Sequence, residues 1–254
     1  MIKKYLIIFL LLSSLAWAGQ LVPIYEPIDA GGAPGSITLV DSESLDESGT
    51  DTDAVVPNVT VTAGDYNALV VKIEFNPEGS PQRTISSVYW DVAGANQEFT
   101  RIGTGYVDGD DAHTETYFLV NPTAGENKSV TVNFSGDLTY GCGIGVFSLS
   151  GAAQSSTIRD YDGEALALNN TSTLTLTVVS GDFIIAGSSI EAIQDASWSG
   201  SDFSTTELLD DDDTHQSYSI MYGTADDSSE DVVIQWSSST NHMAHMAVAI
   251  KVAE

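Results

Sequence analysis

The chain has 254 residues, and its 36 acidic against eight basic side chains give a formal net charge of −28. A surface so acidic repels nucleic acid and anionic lipid, which excludes both as partners, and it needs screening salt or bound cations to limit its own repulsion. Cys142 is the only cysteine, so no intramolecular disulfide can form.

The first residues read as an export signal. Lys3 and Lys4 precede an apolar run from Tyr5 to Leu12, and Ala16-Trp17-Ala18 supplies a small-residue cleavage pattern. The run is too short to span a bilayer, so residues 1–18 are expected to be removed and the mature protein to start at Gly19. This removes two basic residues and no acidic one, and moves the net charge from −28 to −30. No later apolar stretch has the length of a spanning helix. The expected location is outside the cell, secreted or at the cell surface, without membrane insertion.

Residues 19–57 are rich in Gly, Pro and acid, with one short candidate strand at Ser36-Ile37-Thr38-Leu39-Val40. This composition predicts an extended N-terminal arm with a loosely ordered acidic loop from Asp41 to Asp53. Beyond it, Leu69, Val71, Ile73 and Phe75 alternate with Val70, Lys72 and Glu74. Val130, Val132 and Phe134 alternate with Thr131 and Asn133, and Leu174, Leu176 and Val178 with Thr173, Thr175 and Thr177. Period-two patterning with one apolar face is that of antiparallel strands with one buried side. No mature segment combines a 3.6-residue apolar period with caps, so very little helix is expected.

An internal repeat organises the chain. Shifted by 102 positions, residues 108–150 overlay 210–252 without a gap. Asp108, Asp110, Asp111 and His113 fall on Asp210, Asp212, Asp213 and His215. Phe118 falls on Ile220, Val130 on Val232, Val132 on Ile234, Phe134 on Trp236, Ile144 on Met246 and Val146 on Val248. Ala68-Leu69-Val70-Val71 similarly matches Phe183-Ile184-Ile185-Ala186. Two copies of one strand series follow, residues 58–150 and 151–254. They are either tandem sandwiches or halves of one larger one. The join contains no Pro and carries a strand at Leu174–Val179, which favours a single joined sandwich. The expected fold is an all-β antiparallel sandwich, jelly-roll or immunoglobulin-like.

Chemistry-bearing motifs are few. The chain lacks the nucleophile elbow, the zinc-protease helix motif and the phosphate-cradling glycine loop. His242 and His245 lie in a strand-like alternation with Ala244, Met246, Val248 and Ile250, so they point to opposite faces and cannot share one ion. The acidic loops are the stronger signal. Asp108, Asp110 and Asp111 in one copy, and Asp210, Asp212 and Asp213 in the other, crowd carboxylates that a hard cation would neutralise, and oxygen-only clusters suit Ca2+. Trp198, in a loop-like Ser-Trp-Ser-Gly setting, and Trp90, beside Tyr89, are the candidates for stacking on a glycan.

Val61–Val71, Tyr117–Gly125 and Met246–Lys251 resemble a widespread group of jelly-roll or immunoglobulin-like β-sandwich modules in secreted bacterial surface proteins and phage structural proteins. The resemblance covers residues 58–254, rests on strand patterns, and implies no catalytic residues. The expected function is that of a non-catalytic structural or adhesive module of a cell surface, matrix or virion. Its partners are expected to be further copies of itself, surface or matrix components, or a glycan. The alternatives are a carbohydrate-binding module, calcium-dependent through its acidic loops, and a secreted glycan hydrolase or lyase.

Export should leave a chain cut between Ala18 and Gly19. N-terminal sequencing of the exported protein is expected to begin Gly-Gln-Leu-Val, and a start at Met1 would contradict the signal-peptide reading.

Overall fold

Alternating apolar and polar residues become strand along the whole described chain. The computed structural model describes residues 35–47, 51–78, 81–108, 111–200, 203–212, 216–237 and 241–254, and contains no helix among them. The expected signal peptide and the first part of the expected arm, to residue 34, lie outside the described residues. The first copy supplies β1 (Thr38–Glu47), β2 (Asp53–Val61), β3 (Asn67–Phe75), β4 (Ile85–Trp90), β5 (Gln97–Glu98), β6 (Thr100–Asp108), β7 (Ala112–Val120), β8 (Gly125–Phe134) and β9 (Cys142–Ser150). The second supplies β10 (Ile158–Asn169), β11 (Thr171–Thr177), β12 (Phe183–Ile190), β13 (Ala196–Gly200), β14 (Thr206–Asp212), β15 (Ser217–Thr224), β16 (Ser229–Trp236) and β17 (Asn241–Ile250).

Each copy builds its own two antiparallel sheets. A first inner sheet runs β1-β9-β3-β7-β6 beside a first outer sheet β2-β8-β4-β5. The second copy repeats this with an inner sheet β10-β17-β12-β15-β14 and an outer sheet β11-β16-β13. The chain is thus an all-β antiparallel sandwich structure made of two copies of one strand series.

Three cores hold four layers together. Leu69, Val71, Ile73 and Phe75 of β3 pack with Trp90, Val130 and Val132 between the first pair of sheets. Leu174 and Leu176 pack with Ile184 and Val232, and Ile190 with Ile234 and Trp236, between the second pair. Between the two inner sheets, Val70, Phe147 and Leu149 meet Phe183, Ile185, Ile220, Met246 and Val248. The inner strands β3 and β12 are accordingly buried at every position, whereas β2 and β11 of the outer sheets alternate buried with exposed.

The third core has a symmetry that follows from the repeat. Strand β1 packs on β14 and β10 on β6, β9 on β15 and β17 on β7, with β3 facing β12 at the centre. Exchanging the copies converts each of these contacts into its partner, so the interface is isologous, like that of a homodimer joined into one chain.

Three expectations change. The described residues of the expected arm (19–57) and of its loop (Asp41 to Asp53) are mostly strand: β1 pairs with β9 from Thr38 to Glu47, and β2 pairs with β8 from Asp53, while residues 48–50 lie outside the described residues. Acid and serine disguise β1 because it is an edge strand, where charge discourages pairing with other chains. The copies form two sandwiches stacked through their inner sheets, not one sandwich with shared sheets. Finally, the ungapped repeat slips in its last strand. Ile144 and Val146 face the first copy's own core, but Met246 and Val248 face the other copy. A shift of one residue reverses the face of every side chain in a strand, and the shorter connection between β16 and β17 makes that shift.

The central interface also buries charge. On β3, Lys72 and Glu74 share the face of Ala68 and Val70 and are fully buried. Lys72 Nζ lies 2.8 Å from Glu74 Oε1. The Thr114 hydroxyl contacts Lys72 Nζ and donates to Glu74 Oε1 at 2.7 Å. Opposite them, β12 presents Gly187, where a Cβ would stand 2.2 Å from Glu74 Oε1 and 2.7 Å from Lys72 Cε. Gly187→Ala is therefore expected to lower unfolding free energy by about 1–3 kcal/mol in urea melts. Gly35→Ala, with nothing within 4 Å, should stay within about 0.5 kcal/mol of the parent.

Candidate functional site

The end of the inner-sheet interface where β3 and β12 finish gathers the most titratable side chains exposed to a groove. Asn76 and Glu78 follow β3, Asp111 precedes β7, Tyr140 precedes β9, Glu191 follows β12 and His242 lies at the start of β17. Asn76, Glu78, Asp111, Tyr140 and Glu191 line a groove of about 240 Å³. The ligating atoms of Asp111, Glu191 and His242 all lie within 4.8 Å of one another, and His242 Nε2 is 4.0 Å from Asp111 Oδ2.

Backbone contacts hold this arrangement. The Gln216 side chain donates to the Asp111 carbonyl at 2.8 Å, and the Glu191 amide donates to the His242 carbonyl at 3.0 Å. The Tyr218 hydroxyl reaches the carbonyls of Tyr140 and Gly141, each at 3.1 Å. The local field is negative: the hydrogen bond that the Tyr140 hydroxyl donates to Glu78 and the charge of that carboxylate, then burial and the carboxylates of Glu191 and Asp111, push the Tyr140 phenol above its usual range.

Of the six aspartates proposed as metal ligands, the fold brings one to this site. Asp108 closes β6. Asp210 and Asp212 belong to β14, whose pairing with β15 makes this part of the acidic run an edge strand and not a loop, and Asp210 is exposed on it. Asp110 and Asp213 lie outside the described residues. Among the described residues, Asp111 is the one of the six grouped with a histidine and a further carboxylate. Glu191 and His242 were not among the predicted ligands, because nothing in a linear sequence brings the ends of β12 and β17 to the start of β7.

The two histidines of the last strand do diverge as the alternation requires. His242 approaches Asp111 and Glu191 beside the groove, while His245 is fully buried between the second pair of sheets. There Ser172 Oγ lies 2.6 Å from His245 Nδ1 and donates to Glu164 Oε1 at 2.5 Å. Serine, histidine and acid meet, but in an order unsuited to nucleophilic catalysis: the hydroxyl binds both partners, and the imidazole is enclosed by the core.

The tryptophans are not a platform. Trp90 is fully buried and donates to the Thr123 carbonyl at 3.0 Å, so it cannot stack on a glycan. Trp198, on the edge strand β13, turns its half-buried ring toward the core. Its Nε1 donates to Ser219 Oγ at 2.6 Å and its ring meets His245 edge-on at 5.4 Å.

Other ionisable clusters are structural. Asp182 is fully buried, pairs with Arg159 and accepts from the Val252 and Val179 amides at 2.9 Å. His113, stacked on Phe75, lies 2.8 Å from Glu115, which also accepts from the Tyr117 hydroxyl at 2.6 Å. Burial opposes ionisation of Glu115, but its contacts with His113, Tyr117 and Arg101 outweigh that and hold its carboxyl below the usual range. Burial likewise drives the Glu74 carboxyl up to about 7 and the Lys72 ammonium down.

No protein-family model matches the chain, and the search of curated proteins returned no match. The functional reading therefore rests on the fold and on these clusters.

Burial, with a smaller contribution from the Lys72 charge, lowers the His245 pKa to about 3 from the ordinary histidine value of 6.5. A depressed folded-state pKa contributes stability that is present above the unfolded value and lost as pH falls toward the folded one. Between pH 6.5 and pH 4 the parent should lose roughly 3 kcal/mol relative to a His245→Asn variant, at about 1.4 kcal/mol per unit. Urea melts of both proteins across this range check it. Glu74, whose carboxyl burial raises to about 7, changes in the opposite sense, but it is present in both proteins and cancels in the difference.

Proposed function

We propose that the chain is an exported, non-catalytic β-sandwich module acting in structure or adhesion outside the cell, at a cell surface, in a matrix or on a virus particle. The observation that carries this reading is where the fold uses its polar chemistry. The buried ionisable groups, Lys72 with Glu74, Asp182 with Arg159, and His245, sit inside cores and fasten strands or copies to one another. A groove of about 540 Å³ is lined by Ile37, Leu39, Phe183, Phe203, Tyr222 and hydroxyl side chains, with Asp226 its one carboxylate. A hydrolase or lyase needs convergent acid and base groups at the wall of a substrate-sized cleft, whereas Asp111, Glu191 and His242 converge beside a groove of about 240 Å³, smaller than the roughly 300–1,000 Å³ of ligand pockets.

The strand order β1-β9-β3-β7 over β2-β8-β4-β5 supports the jelly-roll alternative over the immunoglobulin-like one. Rigid stacked layers with acidic edges suit a part that transmits or resists force, and the export signal supports an extracellular location.

The carbohydrate-binding alternative moves away from the tryptophans. Tyr161 is 44% exposed, and it and Tyr106 lie where β10 crosses β6, so these rings take the place of Trp90 and Trp198 in that reading.

Purified mature protein is expected to self-associate with concentration in the ultracentrifuge, or to be retained saturably on isolated surface polymer. It should not turn over polysaccharide, ester or peptide substrates. Turnover that disappears in a His242→Ala or Ser172→Ala variant would overturn the reading, and retention lost in Tyr161→Ala alone would favour the glycan module.

A further inference from the structure

We propose that Asp111, Glu191 and His242 bind one borderline divalent cation of the zinc type, which ties the two copies together at the end of their shared interface. This goes beyond the structural or adhesive reading and is tested independently of it.

The donors come from three separate segments and from both copies. Asp111 precedes β7 in the first, while Glu191 follows β12 and His242 opens β17 in the second. Acidic side chains adjacent in sequence spread apart when nothing holds them. Here residues 111, 191 and 242 are drawn to within 4.8 Å by strands whose positions are set by the cores behind them. Ligands each about 2.1 Å from one ion stand no more than about 4.2 Å apart. The 4.0 Å between His242 Nε2 and Asp111 Oδ2 already meets that condition, and a side-chain adjustment of about 1 Å brings in the third ligand.

Donor type selects the ion. Calcium takes six to eight oxygens, whereas one imidazole nitrogen with two carboxylates suits zinc and its neighbours. Glu78 stands in the same groove as Asp111 and Glu191, so three carboxylates face one small space, and no Lys or Arg is among the lining residues. A divalent ion there relieves their repulsion. The groove opens to solvent, which leaves room for water to complete the coordination.

The site is also held in advance. The hydrogen bond from Gln216 to the Asp111 carbonyl crosses between the copies, and the one from the Glu191 amide to the His242 carbonyl joins the other two ligands. Binding therefore orders little backbone, and because the ligands lie on both sides of the inner-sheet interface, the ion acts as a cross-link that favours the stacked state.

Chelator-treated mature protein is titrated with Zn2+ by calorimetry, with Co2+ absorption as a second reading of the ligand field. One saturable site per chain is expected, with a rise in melting temperature. His242→Ala, Glu191→Gln and Asp111→Asn should each weaken Zn2+ at least tenfold, whereas Asp210→Asn, on the exposed edge of β14, should leave it unchanged. Circular dichroism verifies that each variant is folded, and the three substitutions give independent readings if one fails to fold. Absence of saturable uptake overturns the proposal, as does uptake by many weak ions indifferent to these variants. Binding of Ca2+ as tight as Zn2+, and equally sensitive to His242→Ala, overturns the assignment of ion class.

Discussion

The structure depends on covering both faces of its two inner sheets. A strand buried on both sides cannot use solvent to satisfy any side chain, so β3 and β12 must be apolar or internally paired along their length. Most positions comply with Val, Ile, Leu, Ala and Phe. The exception is Lys72 with Glu74, and its form follows from the constraint: the charges neutralise one another, Thr114 supplies a hydroxyl, and β12 places a glycine opposite so that the longer side chains fit. Such a pair adds little net stability relative to an apolar filling, but deleting one partner leaves a buried charge and costs about 3–5 kcal/mol. Its value to the fold is alignment, since only one register of the two inner sheets sets Gly187 over the pair.

The same constraint sends the acidic excess outward. Carboxylates concentrate on β1, β10 and β14, three of the four edge strands of the inner sheets, and on the loops between layers. Unpaired edges are where sheets join other chains, and charge there limits uncontrolled addition. Where the two stacked sandwiches end together, however, the outward-directed acids of both copies are forced close, and Glu78, Asp111 and Glu191 share one groove. The negative field is a consequence of stacking two acidic halves about an isologous interface.

Several features were legible from residue pattern alone. Alternation located β3, β8 and β11, although β3, expected to bury one side, is buried on both, and the 102-residue repeat anticipated the matched roles of Val130 with Val232 and of Phe134 with Trp236. The opposed faces of His242 and His245 followed from strand geometry. Pattern failed where an element serves the fold through backbone pairing more than through side-chain burial. Strand β1, Thr-Leu-Val-Asp-Ser-Glu-Ser-Leu-Asp-Glu, reads as a solvated loop because its contribution is an edge ladder to β9. Trp90 was ambiguous for another reason: adjacent aromatics on a strand take opposite faces, and the sequence does not say which face is inside.

Local chemistry along the chain determined that this protein is β throughout, that it contains one strand series twice, and that its surface is acidic, because strand periodicity, repetition and charge are properties of neighbouring residues. The tertiary structure decided the rest. Whether two copies share a sandwich or stack two depends on which faces of β3 and β12 find apolar partners, and the one-residue slip before β17 depends on a pairing register. The meeting of residues 111, 191 and 242 requires three strand ends to be packed against one another. These are long-range relations between side chains far apart in sequence, and burial selects among them only when the layers come together.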